Sequence, residues 1–348
     1  MAEQTSMGRQ GLVNFLFAGL PPRLWCPLLT HYTATGALDR ARIAAHWAHL
    51  APHVPGYLIP GTTGDGWEMS ESETQELMEF AVEQTGVLGA HLLIGVLKTA
   101  PGAAREGVAG AMAALRRRSG CQDNMQALAR LRVRGFVVCA PKGADLAQDQ
   151  IHATLAAVLE LGLPTAFYQL PQITQNEMAP EVIADLARRF PNFFMFKDSS
   201  GRDRVALAGV AGNVFLVRGA EGDYVRWLKE GGGPYDGLLL STANCFPSQL
   251  ARIVSDVQAG RLEQGRELSA RLTSAVRAVF ALVARLPQGN PFTNANKAVD
   301  HCMAHGREAL RRAPPRLHAG VALPKEVLEA TQQALGEHAL LPERGYLE

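Results

Sequence analysis

The sequence predicts an α/β protein, a (β/α)8 TIM barrel followed by a C-terminal helical appendage. Three observations lead there. Eight short apolar runs with strand character are spread over residues 23–242, segments with helical periodicity lie between them, and about a hundred residues follow the eighth run. Strands alternating with helices argue for a parallel sheet, and eight is the number that closes a barrel. A chain of 348 residues, 47% of them hydrophobic, is long enough to fill such a core.

Taken in order, an apolar patch after Arg9, LVNFLFAGL, comes first. It runs into Pro21-Pro22-Arg23 rather than a small-residue cleavage site. Residues 1–22 therefore read as an arm, packed on the body or frayed, and not as a signal peptide. The strand candidates are RLWCPLL (23–29), GYLIP (56–60), HLLIGVL (91–97), GFVVCA (135–140), PTAFYQL (164–170), NFFMFK (192–197), NVFLVRG (213–219) and DGLLLST (236–242). After the second, Ser70 and Glu73 form a Ser-x-x-Glu capping box, Leu77, Phe80 and Ala81 keep helical spacing, and Gly86 stands where that helix is expected to stop. The segment 111–133 is long for one connection and reads as a helix with a local insertion, its arginines on a solvated face. APEVIADLARRF (179–190) places Val182, Leu186 and Phe190 on one side. PSQLARIVSDVQAG (247–260) starts with Pro and ends with Gly, as a barrel's last helix would. A long helix over 261–286 and another in PKEVLEATQQAL (324–335) follow. The expected organisation is an arm over 1–22, a barrel over 23–260 and a helical region over 261–348.

Composition narrows the function classes. Lys and Arg total 34 against 33 for Asp and Glu, so nothing points to nucleic acid or an anionic membrane surface. No apolar run reaches the ~18 residues that span a bilayer. The five cysteines, Cys26, Cys121, Cys139, Cys245 and Cys302, are far apart with no CxxC pair, which fits a reducing, cytoplasmic compartment and neither a disulfide framework nor a cysteine zinc site.

In a barrel of this kind catalytic groups stand at the carboxyl ends of strands. The sixth run ends at Lys197, and strand alternation turns Phe193, Met195 and Lys197 one way and Phe194 and Phe196 the other. With the phenylalanines toward the outer helices, Lys197 faces the barrel mouth, where desolvation favours the neutral amine that attacks a ketone to form a Schiff base. The competing reading is a lysine whose stem snorkels and whose ammonium meets solvent or Asp198. Tyr168 ends the fifth run and could relay protons, or could be a half-buried tyrosine with a satisfied hydroxyl. In GTTGD (61–65), Gly61 and Gly64 bracket Thr62 and Thr63, a turn able to offer N–H groups and hydroxyls to a carboxylate, or an ordinary loop. STAN (241–244) follows the eighth run and is open to reading as a helix cap.

GTTGD, a strand-end tyrosine with Y-x-x-P, KDSSG after an apolar strand, and G-x-x-x-STAN occur in that order at barrel-like spacing. This set resembles the dihydrodipicolinate synthase/N-acetylneuraminate lyase family of pyruvate-type class I aldolases and dehydratases, over about residues 24–330. The resemblance implies that Lys197 is the Schiff-base lysine, that Tyr168 is the acid/base, and that Thr62 links that tyrosine into a proton relay. It also implies that Thr63, in the turn opened by Gly61, binds the keto acid's carboxylate, and that Gly219 and Leu239 line the pyruvyl pocket. It implies no metal or organic cofactor, a small 2-keto acid as substrate, and a homo-oligomer, dimer or tetramer. Departures bear on the second substrate. Where the synthases carry YNVPxRT, this chain has YQLPQIT, with Ile173 in place of an arginine that holds the second substrate's carboxylate. Lys142-Gly143 stand where the family often has tyrosines, one of which reaches a neighbouring subunit's site. Asp65 replaces the usual Glu. Authentic dihydrodipicolinate synthesis is therefore not expected.

Other features carry less. His301 and His305 lie four apart beside Asp300, a spacing able to bind zinc, but without a catalytic HExxH they read as a polar helix face. GGGP (231–234) lacks the Lys-Ser/Thr of a P-loop and reads as a turn. Trp67 either shapes a pocket or packs, and packing is favoured. The function expected is a Schiff-base lyase acting on pyruvate or a longer 2-keto acid by aldol cleavage, condensation or dehydration. The rivals are a catalytically silent keto-acid-binding barrel with a regulatory role and a metal-dependent barrel enzyme.

Overall fold

The computed structural model describes residues 7–348. Eight strands, β1 (Leu24–Pro27), β2 (Gly56–Ile59), β3 (His91–Val96), β4 (Val133–Cys139), β5 (Thr165–Gln169), β6 (Phe193–Asp198), β7 (Phe215–Arg218) and β8 (Gly237–Leu239), form a closed barrel in sequence order. The paired neighbours run parallel, as strands joined by helical crossovers do. The chain divides into two compact units. One comprises the segment up to Arg23, His91–Ala220 and Pro234–Leu238; the other comprises Leu24–Ala90, Glu221–Gly233 and Leu239–Glu348.

In the first unit the register sets Cys139 beside Tyr168, Tyr168 beside Lys197 and Lys197 beside Val217. Paired residues on parallel strands share a face, so these four side chains form one layer. Every residue of β6 is buried, and Phe194 lies 6.0 Å, ring to ring, from Phe17. Phe17 belongs to a helix over Arg9–Phe17 that buries Leu12, Val13, Leu16 and Phe17. Arg9 joins it to the body: its guanidinium donates to the carbonyls of Phe193 at 2.7 Å, Phe190 at 3.0 Å and Ala187. Two of these acceptors end the helix Pro180–Arg189, whose last carbonyls have no partner inside the helix. Of the expected arm, residues 1–6 lie outside the described residues. The segment read as one helix over 111–133 is two, Ala103–Ser119 and Asn124–Arg130. Gly120 at φ 71° ends the first, and the Asp123 side chain caps the second by accepting from the Gln126 N–H.

In the second unit the Ser70–Glu73 capping box forms as its sequence implies, but the helix it starts runs over Glu71–Leu88, past Gly86. The stop is Gly89, at φ 68°. Gly86 is tolerated inside the helix because nothing forces it into the left-handed region, where glycine's advantage lies. The C-terminal region holds helices over Pro247–Gln258, Leu262–Val283, Pro291–His305 and Lys325–Glu337. Among the described residues no helix is long and apolar enough to cross a membrane, and none of the cysteines forms a disulfide.

Candidate active site

In the first unit Lys197 is buried and its ammonium lies 3.9 Å from the centre of the Tyr168 ring. The register explains the contact, since the two residues pair at the ends of β6 and β5. Asp198, next in the strand, points the other way: its Oδ1 accepts from the Ser200 N–H at 2.8 Å, so it is not the partner the snorkelling alternative supplies. Burial pushes the Asp198 carboxyl up to about 6. Cys139 shares the lysine's layer, and its burial raises the thiol to about 12 although Lys197 opposes the shift.

Gly219, just past β7, makes room for this lysine. A Cβ there would stand 2.8 Å from Lys197 Cε and 2.1 Å from Ser199 Oγ. Its N–H donates to the Asp198 carbonyl at 2.7 Å, which holds the bare Cα against the lysine stem. Ser199 therefore projects to the lysine's side of the strand. In the sequence, the period of two from Lys197 is the signal that identifies it. Below, Arg218 and Asp203 form a buried bidentate pair at 3.0 and 3.2 Å, and Tyr235 donates to Asp203 at 2.6 Å. These contacts brace the ends of β6 and β7.

The second unit holds the GTTGD turn. Thr62–Gly64 form a 3-10 turn and Asp65 follows in the left-handed region at φ 60°. Both glycines answer to close approach by the end of β1 and the residue after it: a Cβ on Gly61 would meet Pro27 Cβ at 2.8 Å, and one on Gly64 would meet the Leu28 carbonyl oxygen at 2.4 Å. Thr62 and Thr63 are buried. The Thr63 carbonyl accepts from Thr293 Oγ1 at 3.0 Å and the Thr62 carbonyl from Asn290 Nδ2 at 3.2 Å. Thr62 Oγ1 accepts from the Trp67 indole N–H at 3.0 Å. Trp67 thus does more than pack.

Asp65 anchors the turn. Its Oδ2 accepts from Lys297 Nζ at 3.1 Å and from the Tyr32 hydroxyl at 3.1 Å, while the Lys297 ammonium also lies 4.5 Å from the centre of the Tyr32 ring. Burial, the larger effect, pulls the Lys297 ammonium below its ordinary value, and Asp65 works in the opposite direction. Burial and Asp65 push the Tyr32 phenol far up, so it stays a donor. Lys297 went unnoticed in the sequence, where nothing links it to a turn more than two hundred residues earlier.

STAN departs from its capping reading. Asn244 staples β1, donating to the Pro27 carbonyl at 2.9 Å and accepting from the Leu29 N–H at 2.9 Å. Ser241 and Thr242 donate to Glu221 at 2.7 and 2.6 Å. Leu239 ends β8 as a buried residue. His301 and His305 do share a helix face, with rings 5.0 Å apart. Their neighbour Asp300 turns elsewhere: with His31 and His46 it offers ligand-type atoms within 4.8 Å of one another. That group is already a closed network. Arg42 and Tyr346 hold the carboxylate, and His46 contacts both His31 Nε2 at 3.1 Å and the Asn244 carbonyl at 2.9 Å. A dication there would face the Arg42 guanidinium, so the donor set suits hydrogen bonding better than a metal. Burial opposes the Asp300 carboxylate, yet Arg42 and the imidazoles outweigh it and hold its carboxyl far below the usual range.

Comparison with known proteins agrees with the barrel fold. The model of the Dihydrodipicolinate synthetase family matches residues 121–290. A curated relative, the 4-hydroxy-tetrahydrodipicolinate synthase of Rhizobium meliloti, is 26% identical over 257 residues, covering 73% of this chain and 81% of the relative. Among solved structures, the E. coli prophage protein YagE, of the dihydrodipicolinic acid synthase family and in complex with pyruvate, superposes with a TM-score of 0.70 at 19% identity, covering 91% of this chain and 98% of the other. A variant of the Sulfolobus solfataricus 2-keto-3-deoxygluconate aldolase, with L-2-keto,3-deoxy-galactonate bound, gives a TM-score of 0.68 at 14% identity, covering 91% and 96%. Over residues 121–290 the chain is similar to the dihydrodipicolinate synthetase family. Members of that family are class I aldolases and lyases.

Proposed function

We propose that the protein is a Schiff-base lyase that captures pyruvate or a longer 2-keto acid on Lys197. The observation that carries this reading is the buried Lys197 ammonium over the Tyr168 ring at paired strand ends, with Gly219 cleared to admit it. The neutral amine attacks the ketone carbon, and Tyr168 supplies the proton with which the carbinolamine oxygen leaves as water. The resulting iminium takes up the electron pair released by C–C cleavage, or by loss of a proton from the carbon beside it. Thr62 is a hydroxyl of the proton path, Thr63 and the Gly61–Gly64 turn are the carboxylate's binding site, and Leu239 lines the keto-acid pocket. Ile173 stands in a short helix over Pro171–Thr174 and offers no cation to a second carboxylate, which supports a second substrate other than that of dihydrodipicolinate synthesis. A closed homo-oligomer, dimer or tetramer, is the assembly that goes with this reading.

Incubation with pyruvate, reduction with borohydride and mass spectrometry test it. The expected result is one reduced pyruvyl adduct on a peptide containing Lys197, absent in Lys197→Ala. An unmodified mass, or an adduct that survives the substitution, sinks the proposal. Screening 2-keto-3-deoxy sugar acids and 4-hydroxy-2-oxo acids for pyruvate release or water loss then separates aldolase from dehydratase.

A further inference from the structure

Thr62 holds its side-chain oxygen 3.0 Å from the Trp67 indole nitrogen. An indole N–H is a donor only, so the threonine oxygen must accept there. Its own proton is thereby committed to another acceptor. A threonine hydroxyl in a proton path can otherwise rotate between accepting and donating, and only one arrangement is productive at a given step. Fixing the rotor in advance removes that reorganisation from the reaction.

The surroundings hold this arrangement in place. The Thr62 carbonyl is bonded to Asn290 and Thr293, so the peptide cannot tilt away from the indole. Asp65, in the left-handed region, folds the chain back after the turn, and Glu68 and Met69 donate their N–H groups to its carbonyl at 3.0 and 3.2 Å. That reversal brings residue 67 over residue 62. Asp65 is itself locked by Lys297 and Tyr32.

We propose that Trp67 is a positioning residue whose indole N–H holds the Thr62 hydroxyl as a proton donor for the reaction. The proposal rests on the reading of Thr62 as part of the proton path. It assigns Trp67 a role in the proton-transfer steps and none in capturing the keto acid.

The test uses pyruvate alone. The full-length protein is compared with Trp67→Phe, and with β-(3-benzothienyl)alanine at position 67, which replaces the N–H by sulfur and keeps the ring shape should Phe disturb folding. Two quantities are read: the equilibrium yield of borohydride-trapped adduct on Lys197, and the rate at which pyruvate methyl protons exchange with D2O at saturating pyruvate. The trapped yield is expected to stay at the wild-type level while exchange slows about tenfold, the size of one lost hydrogen bond. In a Thr62→Val background the position-67 change is expected to have no further effect, and in Thr62→Ser, which keeps the accepting oxygen, to have its full effect. Wild-type exchange in both position-67 variants, or an equal further loss on top of Thr62→Val, overturns the proposal. A wild-type protein that forms no imine at Lys197 overturns the parent reading, and this inference with it.

Discussion

The two units build their polar centres in opposite ways, although each places a buried lysine over a tyrosine ring. In the first, Lys197 and Tyr168 come from neighbouring strands and meet because the register pairs them. In the second, Lys297 comes from the C-terminal helix Pro291–His305 and reaches Tyr32 and Asp65, more than two hundred residues away. The first lysine stands where strand ends leave room, with a glycine cleared beside it. The second is tied into a carboxylate and holds a turn in shape. Burial and an aromatic face are therefore common to the lysine proposed to react and to the one that holds a turn. The elements that present the two side chains differ, strand end in one case and helix in the other.

Substitutions can break that contrast. The largest effect is expected from Lys197→Met, which should lower deuterium exchange into pyruvate at least about a thousandfold with little change in melting temperature, because the attacking amine is gone. Exchange near the wild-type rate would remove Lys197 from the chemistry. Lys297→Met should act the other way, on stability. It strands the buried Asp65 carboxylate, at a cost of about 3–5 kcal/mol in denaturant melts, and Asp65→Asn in the same chain should recover part of the loss. Equal melts for Lys297→Met and wild type would show that the pair does not hold the turn. Gly219→Ala sharpens the comparison on the first side. Its methyl must displace Lys197 or Ser199, so exchange should slow roughly tenfold to a hundredfold while the fold persists, since flexible side-chain ends can give way.

The smallest effect concerns pH. The native Asp198 carboxyl titrates at about 6 against 3.8 for its ordinary value. Between those values the native state holds more protons than the unfolded one, so this group's contribution to stability falls as pH rises from about 4 to about 6. Asp198→Asn removes that slope and should stabilise the protein at pH 7.5 by on the order of 1–2 kcal/mol. Urea melts at pH 4.5 and 7.5 check both the slope and its sign.

How much was legible follows the same division. The strands, the inward turn of Lys197, the capping box at Ser70 and the neighbourhood of Tyr168 all depend on periods of two or 3.6 and on spacings within a few residues. Errors arose where a local signal had a competitor. Gly86 resembles a stop, but a stop needs the left-handed geometry that Gly89 adopts. Asn244 resembles a cap, but β1 offers it three backbone partners at once with its own turn: the Pro27 carbonyl, the Leu29 N–H and the Ser241 carbonyl. Trp67 resembled packing because an indole's hydrogen bond leaves no trace in the residue pattern. Lys297 sits at an ordinary helical position whose burial follows only from what the helix lies against.

By itself the sequence determined the number and order of the strands, the side of β6 on which Lys197 stands and the residues of the GTTGD turn, because backbone stereochemistry converts local spacing into direction. Tertiary structure alone decided that Lys297 meets the Asp65 carboxylate, which hydroxyl the indole holds and which glycine clears the Lys197 stem. Those outcomes require groups distant in the chain to be brought within about 3 Å, and only the packing of whole elements sets such distances.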